Sequence, residues 1–294
     1  VWSFFSKHSN CHKQRKFKTK RQLFSFLSVK AAVVIPFYKP VISNLEQTAF
    51  IQATKVLSAH DIVVIKPNSL RLPDEAKSDA ITNVVNFDDK YFKNIRSYNA
   101  LMLSEGFYQS FLDYDFMLIH QLDAFVFRDE LSEWCNQGYD YIGAPWIHKY
   151  GYPDVVKAVK SKLQRWLHLK FDVQKDGRPS PMQFENGVGN GGFSLRRVNK
   201  FHELCIDMKN QAKRYLSLSH DHYFNEDVFW SIEVNRKRKI LNIPSYKKAT
   251  GFSIELFPER AIKINDNKLP FGCHAWDKNL EYWRPIIQNY GYAI

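Results

Sequence analysis

The run FMLIHQLDAFVF, from Phe116 to Phe127, holds one formal charge in a mostly apolar stretch. A segment of this kind reads as a buried strand. A strand buried on both faces commits the chain to a layered core, with helices packed over a sheet. The lone acid, Asp123, falls where that strand would surface. Open α/β proteins bind their ligands beyond the carboxyl ends of the strands, which makes Asp123 a candidate ligand-binding residue. By itself an Asp at a strand end is better explained as a turn or cap residue. The residues downstream decide between the two.

The flanking segments fix the fold class. KAAVVIPFY, Lys30 to Tyr38, has a β-branched core that stops at Pro36 and predicts a strand. Val41, Leu45, Ala49, Ile51, Ala53 and Val56 recur at helical spacing over Val41 to Leu57. DIVVIKP (Asp61 to Pro67) and ITNVVNF (Ile81 to Phe87) predict two more strands, and Tyr98 to Phe111 a helix leading into the Phe116 run. Strand–helix–strand alternation gives an α/β fold with a mostly parallel central sheet covered by helices. The chain contains no G-x-x-x-x-G-K-[ST], and its one G-x-G-x-x-G match, Gly187 to Gly192, leads into a strand and not a helix, which weighs against a nucleotide hydrolase and a dinucleotide-dependent oxidoreductase.

The second half is less regular. Between Asp154 and Gly177, Val155, Val159, Leu163, Trp166 and Leu167 recur at helical spacing, with Lys157, Lys160, Lys162, Arg165 and Lys170 between them. This segment is either a core-packed helix or a lid or surface-binding helix. A turn-rich connector, RPSPM, follows. Helices are expected around Val198 to Leu216 and Glu226 to Arg236, and short strands near Ile240 and Phe252.

The net charge of +12 is unevenly placed. Residues 1–30 carry Lys7, Lys13, Arg15, Lys16, Lys18, Lys20, Arg21 and Lys30 and no acid, so most of the excess lies there. With Trp2, Phe4, Phe5, Phe17, Phe24 and Phe26 among them, this arm suits an anionic membrane surface; a nucleic-acid tail or a solubilising tail would also carry such charge. No apolar run reaches the roughly 18 residues of a membrane span. Cys11, Cys135, Cys205 and Cys273 show no paired short spacing, so neither a zinc knuckle nor a disulfide framework is indicated, and a reducing, cytoplasmic setting is expected.

Three further clusters carry chemistry. NGVGNGGFSLRR, Asn186 to Arg197, has four glycines in six residues, which let a backbone turn tightly or approach a ligand closely. DHYFNEDVFW, Asp221 to Trp230, sets Glu226 and Asp227 in the first turn of a helix that Asn225 could cap. PFGCHAW, Pro270 to Trp276, places His274 in an aromatic turn, as a core imidazole, a base or a metal ligand. Group transfer from a nucleoside diphosphate would use all of these together. The leaving diphosphate needs a divalent cation or clustered positive charge, for which Asp123 and His274 supply an oxygen and a nitrogen. A carboxylate, Asp227 or Glu226, would take the proton of the attacking hydroxyl. Arg196 could assist the phosphates.

The blocks YDFMLIHQLDAFVF, LSEWCNQGYDYIGAPW, GNGGFSLR, NEDVFW and PFGCHAW resemble, in this order, those of the DUF5672 family, which is similar to GT-A-fold glycosyltransferases and is found in bacterial polysaccharide gene clusters. The resemblance covers about residues 30–280. It implies a GT-A-like nucleotide-diphospho-sugar transferase fold with a mostly parallel mixed sheet. With the membrane-facing basic arm set at 1–29 by its charge, it further implies one catalytic domain over 30–294. Within that domain 30–150 would bind donor nucleotide, 151–182 would be the basic helix and connector, and 183–294 would hold the acceptor and catalytic half.

The D-x-D position of such enzymes here reads Gln121-Leu122-Asp123 or Asp123-Ala124-Phe125, with one acid. On this resemblance Asp123 and His274 hold Mn2+ or Mg2+. Pro36, Phe37, Tyr38, Gln121, Asp123, Asn190, Gly191, Gly192 and Arg196 contact the donor. Asp227, with Glu226 beside it, is the base. Asp140, Tyr141, Trp146 and Trp276 line the sugar or acceptor site. The implied reaction moves a sugar from a nucleotide-diphosphate sugar to a glycan or lipid-linked acceptor of O-antigen, capsule or lipopolysaccharide. Inversion at the anomeric carbon is expected, because one base-bearing motif is present and no nucleophile is placed for a double displacement.

Two other classes compete. A degenerate, non-catalytic sugar-binding module would tolerate the incomplete acidic motif. A nucleic-acid-binding protein would use the positive charge, but no reader motif accompanies it and no nucleic-acid partner is expected.

Overall fold

The computed structural model describes residues 29–218 and 222–294. The basic arm therefore lies, apart from Val29, outside the described residues. So does Asp221.

The first half follows the expected alternation. Strand β1 (Ala31–Pro36) leads to helix α1 (Asn44–Val56), which starts on a capping box between Ser43 and Glu46. Strands β2 (Asp61–Pro67) and β3 (Ile81–Phe87) match the sequence segments. The single helix expected over Tyr98 to Phe111 is instead two short ones, α2 (Ile95–Met102) and α3 (Glu105–Gln109). Ser104 accepts from the Phe107 N–H and starts the second, so a good N-cap residue breaks what periodicity alone joins.

The Phe116 to Phe127 run is not one strand. It divides into β4 (Phe116–His120) and β5 (Ala124–Val126), with Gln121, Leu122 and Asp123 in the turn between them. After α4 (Leu131–Cys135) come two short strands, β6 (Tyr141–Ile142) and β7 (Pro145–Trp146). Helix α5 (Val155–Lys170) and the β8–β9 hairpin (Gln174–Lys175, Arg178–Pro179) follow. Strands β10 (Gly187–Val188) and β11 (Phe193–Arg197) precede α6 (Val198–Asp207) and α7 (Lys209–Ser217).

Helix α8 (Glu226–Val228) continues through a π turn, Phe229–Glu233. No strand forms near Ile240. The remaining elements are α9 (Tyr246–Phe252), β12 (Ser253–Ile254), α10 (Pro258–Ile264), β13 (Gly272–His274) and α11 (Leu280–Gln288).

The main sheet has the order β3-β2-β1-β4-β11-β6. Its first four strands are parallel, and β11 runs antiparallel to both β4 and β6. This is the expected α/β architecture with a mostly parallel mixed sheet. Val33, Ile35 and Leu118 pack on one face and Val34, Met117 and Ile119 on the other, so β1 and β4 are buried on both sides. A second small sheet, β12-β13-β5, carries Phe125 and Cys273 against Trp276 and Trp283. Cys135, Cys205 and Cys273 are free thiols in the core. Among the described residues no helix is long and apolar enough to cross a membrane.

Candidate functional site

The site forms where β4 ends and the chain changes sheets. The Gln121 N–H donates to the Gly192 carbonyl at 2.8 Å, which brings the start of β11 to the turn. Strand β5 then pairs with β13 so that Ala124 faces His274. Asp123 and His274 are thereby neighbours, 151 residues apart in the chain, at 3.2 Å between Oδ1 and Nε2. The Gln121 Oε1 lies 3.2 Å from the same ring nitrogen. On the other side, β12 runs parallel to β13, and its next residue, Glu255, lies 3.5 Å from His274 Nδ1.

Electrostatics follow from that placement. Burial opposes a charged imidazole, but Asp123 and Glu255 outweigh it and push His274 up to about 10. Burial likewise opposes the Asp123 carboxylate, yet His274 holds it below the usual range. His274 is therefore a cation at neutral pH, held between two carboxylates. Asp123 Oδ1 and His274 Nε2 have the spacing of adjacent ligands on an octahedral ion, about 3 Å for bonds near 2.1 Å. A divalent cation fits there once it displaces the imidazole proton. Among the described residues no three His, Cys, Asp or Glu side chains are grouped to hold a metal, so the chain itself offers two such ligands.

A second cluster lies across the Asn190-Gly191-Gly192 backbone. A Cβ on Gly191 would sit 2.2 Å from Glu226 Oε1, and one on Gly192 would sit 1.9 Å from His274 Nε2. Only glycine allows this backbone to pass between the two charged groups. Asn190 is left-handed, at φ 56, and its side chain accepts from the Gly192 N–H and donates to Glu255. The Glu226 carboxylate meets the Arg196 guanidinium at 2.9 Å, and Arg196 also donates to Tyr108 and Ser194. Asp227 stays half-buried beside this pair and accepts the Val228 N–H at 2.8 Å. Burial first, then Glu226 and Glu255, pushes its carboxyl up to about 7. That is the range a general base needs at neutral pH.

Several expected contacts are corrected by this geometry. Arg196 is wholly buried beneath the site and committed to Glu226, so it does not face a donor phosphate. Glu226 is tied to Arg196 through Oε1, which makes Asp227 the better candidate base. Tyr141 and Trp276 are wholly buried, packed on Phe201 and Phe125, and do not present a face to a sugar. Asp140 binds Arg197 at 2.8 Å and the Asn242 N–H, fastening the edge of the sheet. Pro36 and Phe37 are core residues, and Phe37 packs edge-on against Phe50.

Tyr38, half exposed at the end of β1, is the member of that trio open to a ligand. A cavity of about 210 Å³ opens beside Asp123, lined by Lys39, Ser43, Glu46 and Asp277. Trp146 lies against Gly187 and Gly189 and packs on Phe184. Asn225 occupies the N-cap position of α8, but its side chain accepts from Asn99 at 3.0 Å instead of capping. Glu255 was not anticipated. Its one signal is an acid directly following the short buried strand Ser253–Ile254.

The DUF5672 family model, described as a protein of unknown function, matches residues 82–274. The chain belongs to that family. The match ends on His274 and contains Asp123, Asn190, Asp227 and Glu255. No curated protein matches the chain. Among solved structures it is similar to the galactosyltransferase LgtC in complex with donor and acceptor sugar analogues. That likeness has 11% identity, covers 83% of this chain and 86% of the other, and has a TM-score of 0.48. It is similar also to mouse xyloside xylosyltransferase 1 in its apo form, at 13% identity, 84% and 97% coverage, and a TM-score of 0.46. The apo bifunctional glycosyltransferase WbbM gives 14% identity, 85% and 46% coverage, and a TM-score of 0.45.

Proposed function

We propose that this chain is a glycosyltransferase of GT-A type that moves a sugar from a nucleotide-diphosphate sugar to a hydroxyl of a glycan or lipid-linked glycan. The observation that carries this reading is the division of the site by one glycine backbone. His274, held by Asp123 and Glu255, lies on one side, and Glu226 lies on the other, next in sequence to Asp227, whose carboxyl is pushed up to about 7.

Transfer breaks the bond between the anomeric carbon and the diphosphate, and the electron pair leaves on phosphate oxygen. A Mn2+ or Mg2+ ion held by Asp123 and His274 would supply Lewis-acid stabilisation of the same diphosphate. The acceptor hydroxyl forms the new bond from the opposite face, and its proton passes to Asp227. Tyr38 and the cavity beside Lys39 give the nucleotide a place at the end of β1. One available base fits a single displacement, hence inversion; a product with the donor's anomeric configuration by NMR would refute that step.

The setting we infer is synthesis of bacterial O-antigen, capsule or lipopolysaccharide on the cytoplasmic side of the membrane, with domain boundaries at 1–29 and 30–294. Calorimetric titration with a panel of nucleotide sugars, with and without Mn2+, tests the donor site. At least one should bind, and Asp123→Asn should weaken it about tenfold or more while Asp227→Asn leaves it within about threefold. Failure of every nucleotide sugar to bind, or equal affinity in Asp123→Asn, would remove the donor assignment.

A further inference from the structure

Helix α5 is amphipathic, and its apolar side faces away from the protein. None of its 16 residues is buried. Val155, Val156, Val159, Leu163, Trp166 and Leu167 are exposed, from 37% at Leu167 to 78% at Val155. At about 100° per residue these six occupy an arc of roughly 120°. The side turned to the protein holds Ala158, Ser161, Arg165, His168 and Leu169, and of these Leu169 packs on the core. Ser161, Arg165 and Leu169 line a cavity of about 930 Å³ whose edge also takes in Val159 and Trp166, Ser161 contacts Glu185, and His168 Nδ1 lies 2.6 Å from Ser180 Oγ. An ordinary surface helix has the reverse orientation.

The charges on α5 identify what covers this face. Lys157, Lys160, Lys162, Arg165 and Lys170 are all basic, and the helix contains no acid. Lys160 and Lys162 flank the apolar arc, and Lys170, one turn beyond Trp166 in the last turn of the helix, lies over the Trp166 ring at 4.8 Å. An outward apolar stripe bordered by lysines, with a tryptophan inside it, is the pattern of a helix lying in a lipid headgroup layer. Residues 1–28 carry seven Lys and Arg and no acid, so like charge opposes their docking on α5. A second copy would set two such helices against each other with the same repulsion.

We propose that α5 is a membrane-docking helix that seats the protein on an anionic lipid bilayer, with Leu163 and Trp166 inserted among the acyl chains near the headgroups. The assignment does not depend on the transferase reading. The test is co-sedimentation of the 294-residue chain with two kinds of vesicle. One is phosphatidylcholine alone, and the other contains about 30% phosphatidylglycerol.

The parent chain should bind the anionic vesicles. Leu163→Gln/Trp166→Gln should weaken that partition about tenfold without changing the circular dichroism spectrum. Lys160→Gln/Lys162→Gln should weaken binding to the anionic vesicles by a similar factor. The fluorescence difference between the parent and Trp166→Phe should shift to the blue when vesicles are added. The proposal is overturned if either double variant sediments like the parent, which would place docking elsewhere on the chain. It is also overturned if the parent ignores both vesicles, or if the apolar variant converts a dimer to a monomer in gel filtration.

Discussion

Two adjacent carboxylates, Glu226 and Asp227, have separate work because their neighbours differ. Glu226 neutralises a wholly buried guanidinium. Removing that charge as Glu226→Gln leaves Arg196 without its counter-ion, and we expect a loss of about 3 kcal/mol in urea denaturation; an unchanged midpoint would contradict the pairing. Asp227→Asn should leave donor affinity intact and lower turnover about a hundredfold or more, the usual contribution of a general base.

Asp227 also sets a pH dependence. Its carboxyl is raised in the folded protein to about 7, so the base is protonated below that pH and kcat/KM should fall about tenfold per pH unit there. The same shift acts on stability with the opposite sign. Folding favours the protonated form, so the carboxylate costs stability progressively as pH rises from about 4 to 7. Asp227→Asn should therefore melt higher than the parent at pH 8, with the difference gone near pH 4. Equal melting points at pH 8 would contradict the burial of this acid. At this scale the sequence revealed residue types in motifs but not the directions in which they point. Arg196 follows Phe193, Ser194 and Leu195 on a strand buried on both faces, and no alternation separates a phosphate-facing arginine from one beneath the sheet.

At the level of elements, the site depends on one strand breaking. The apolar run from Phe116 reads as continuous, but Gln121 to Asp123 turn it from the main sheet into the small one, where β5 pairs with β13. That pairing brings His274 to Asp123 and is a long-range fact which local periodicity does not contain. The strands β1, β2 and β3 were legible because β-branched runs bounded by turn residues act locally. Gly192→Ala tests the junction. Its Cβ would meet the His274 ring at 1.9 Å, and the ring is held by Asp123 and Glu255. We expect a loss of about 1–3 kcal/mol in thermal unfolding together with weaker nucleotide-sugar binding. Gly106→Ala, where nothing lies within 4 Å, is the control and should be neutral or slightly stabilising. Equal behaviour of the two variants would show that the glycine has no role between the charge clusters.

Across the whole molecule, fold class was readable from the order of elements, and the uneven +12 charge from composition. What composition left open was the orientation of α5, because helical periodicity states that a helix has two faces and not which one is outward. The proposed donor end, the proposed base and the basic apolar helix lie on one chain that belongs to the DUF5672 family. The most direct test of the account is the rate of nucleoside diphosphate release from a nucleotide-sugar panel with a mixed glycan acceptor, measured for the parent and Asp227→Asn at pH 8. The account predicts that the parent consumes at least one donor and that Asp227→Asn does so about a hundredfold more slowly with unchanged donor affinity. Donor binding without consumption by the parent, or equal rates in the two proteins, would contradict it and leave a sugar-binding module in place of an enzyme.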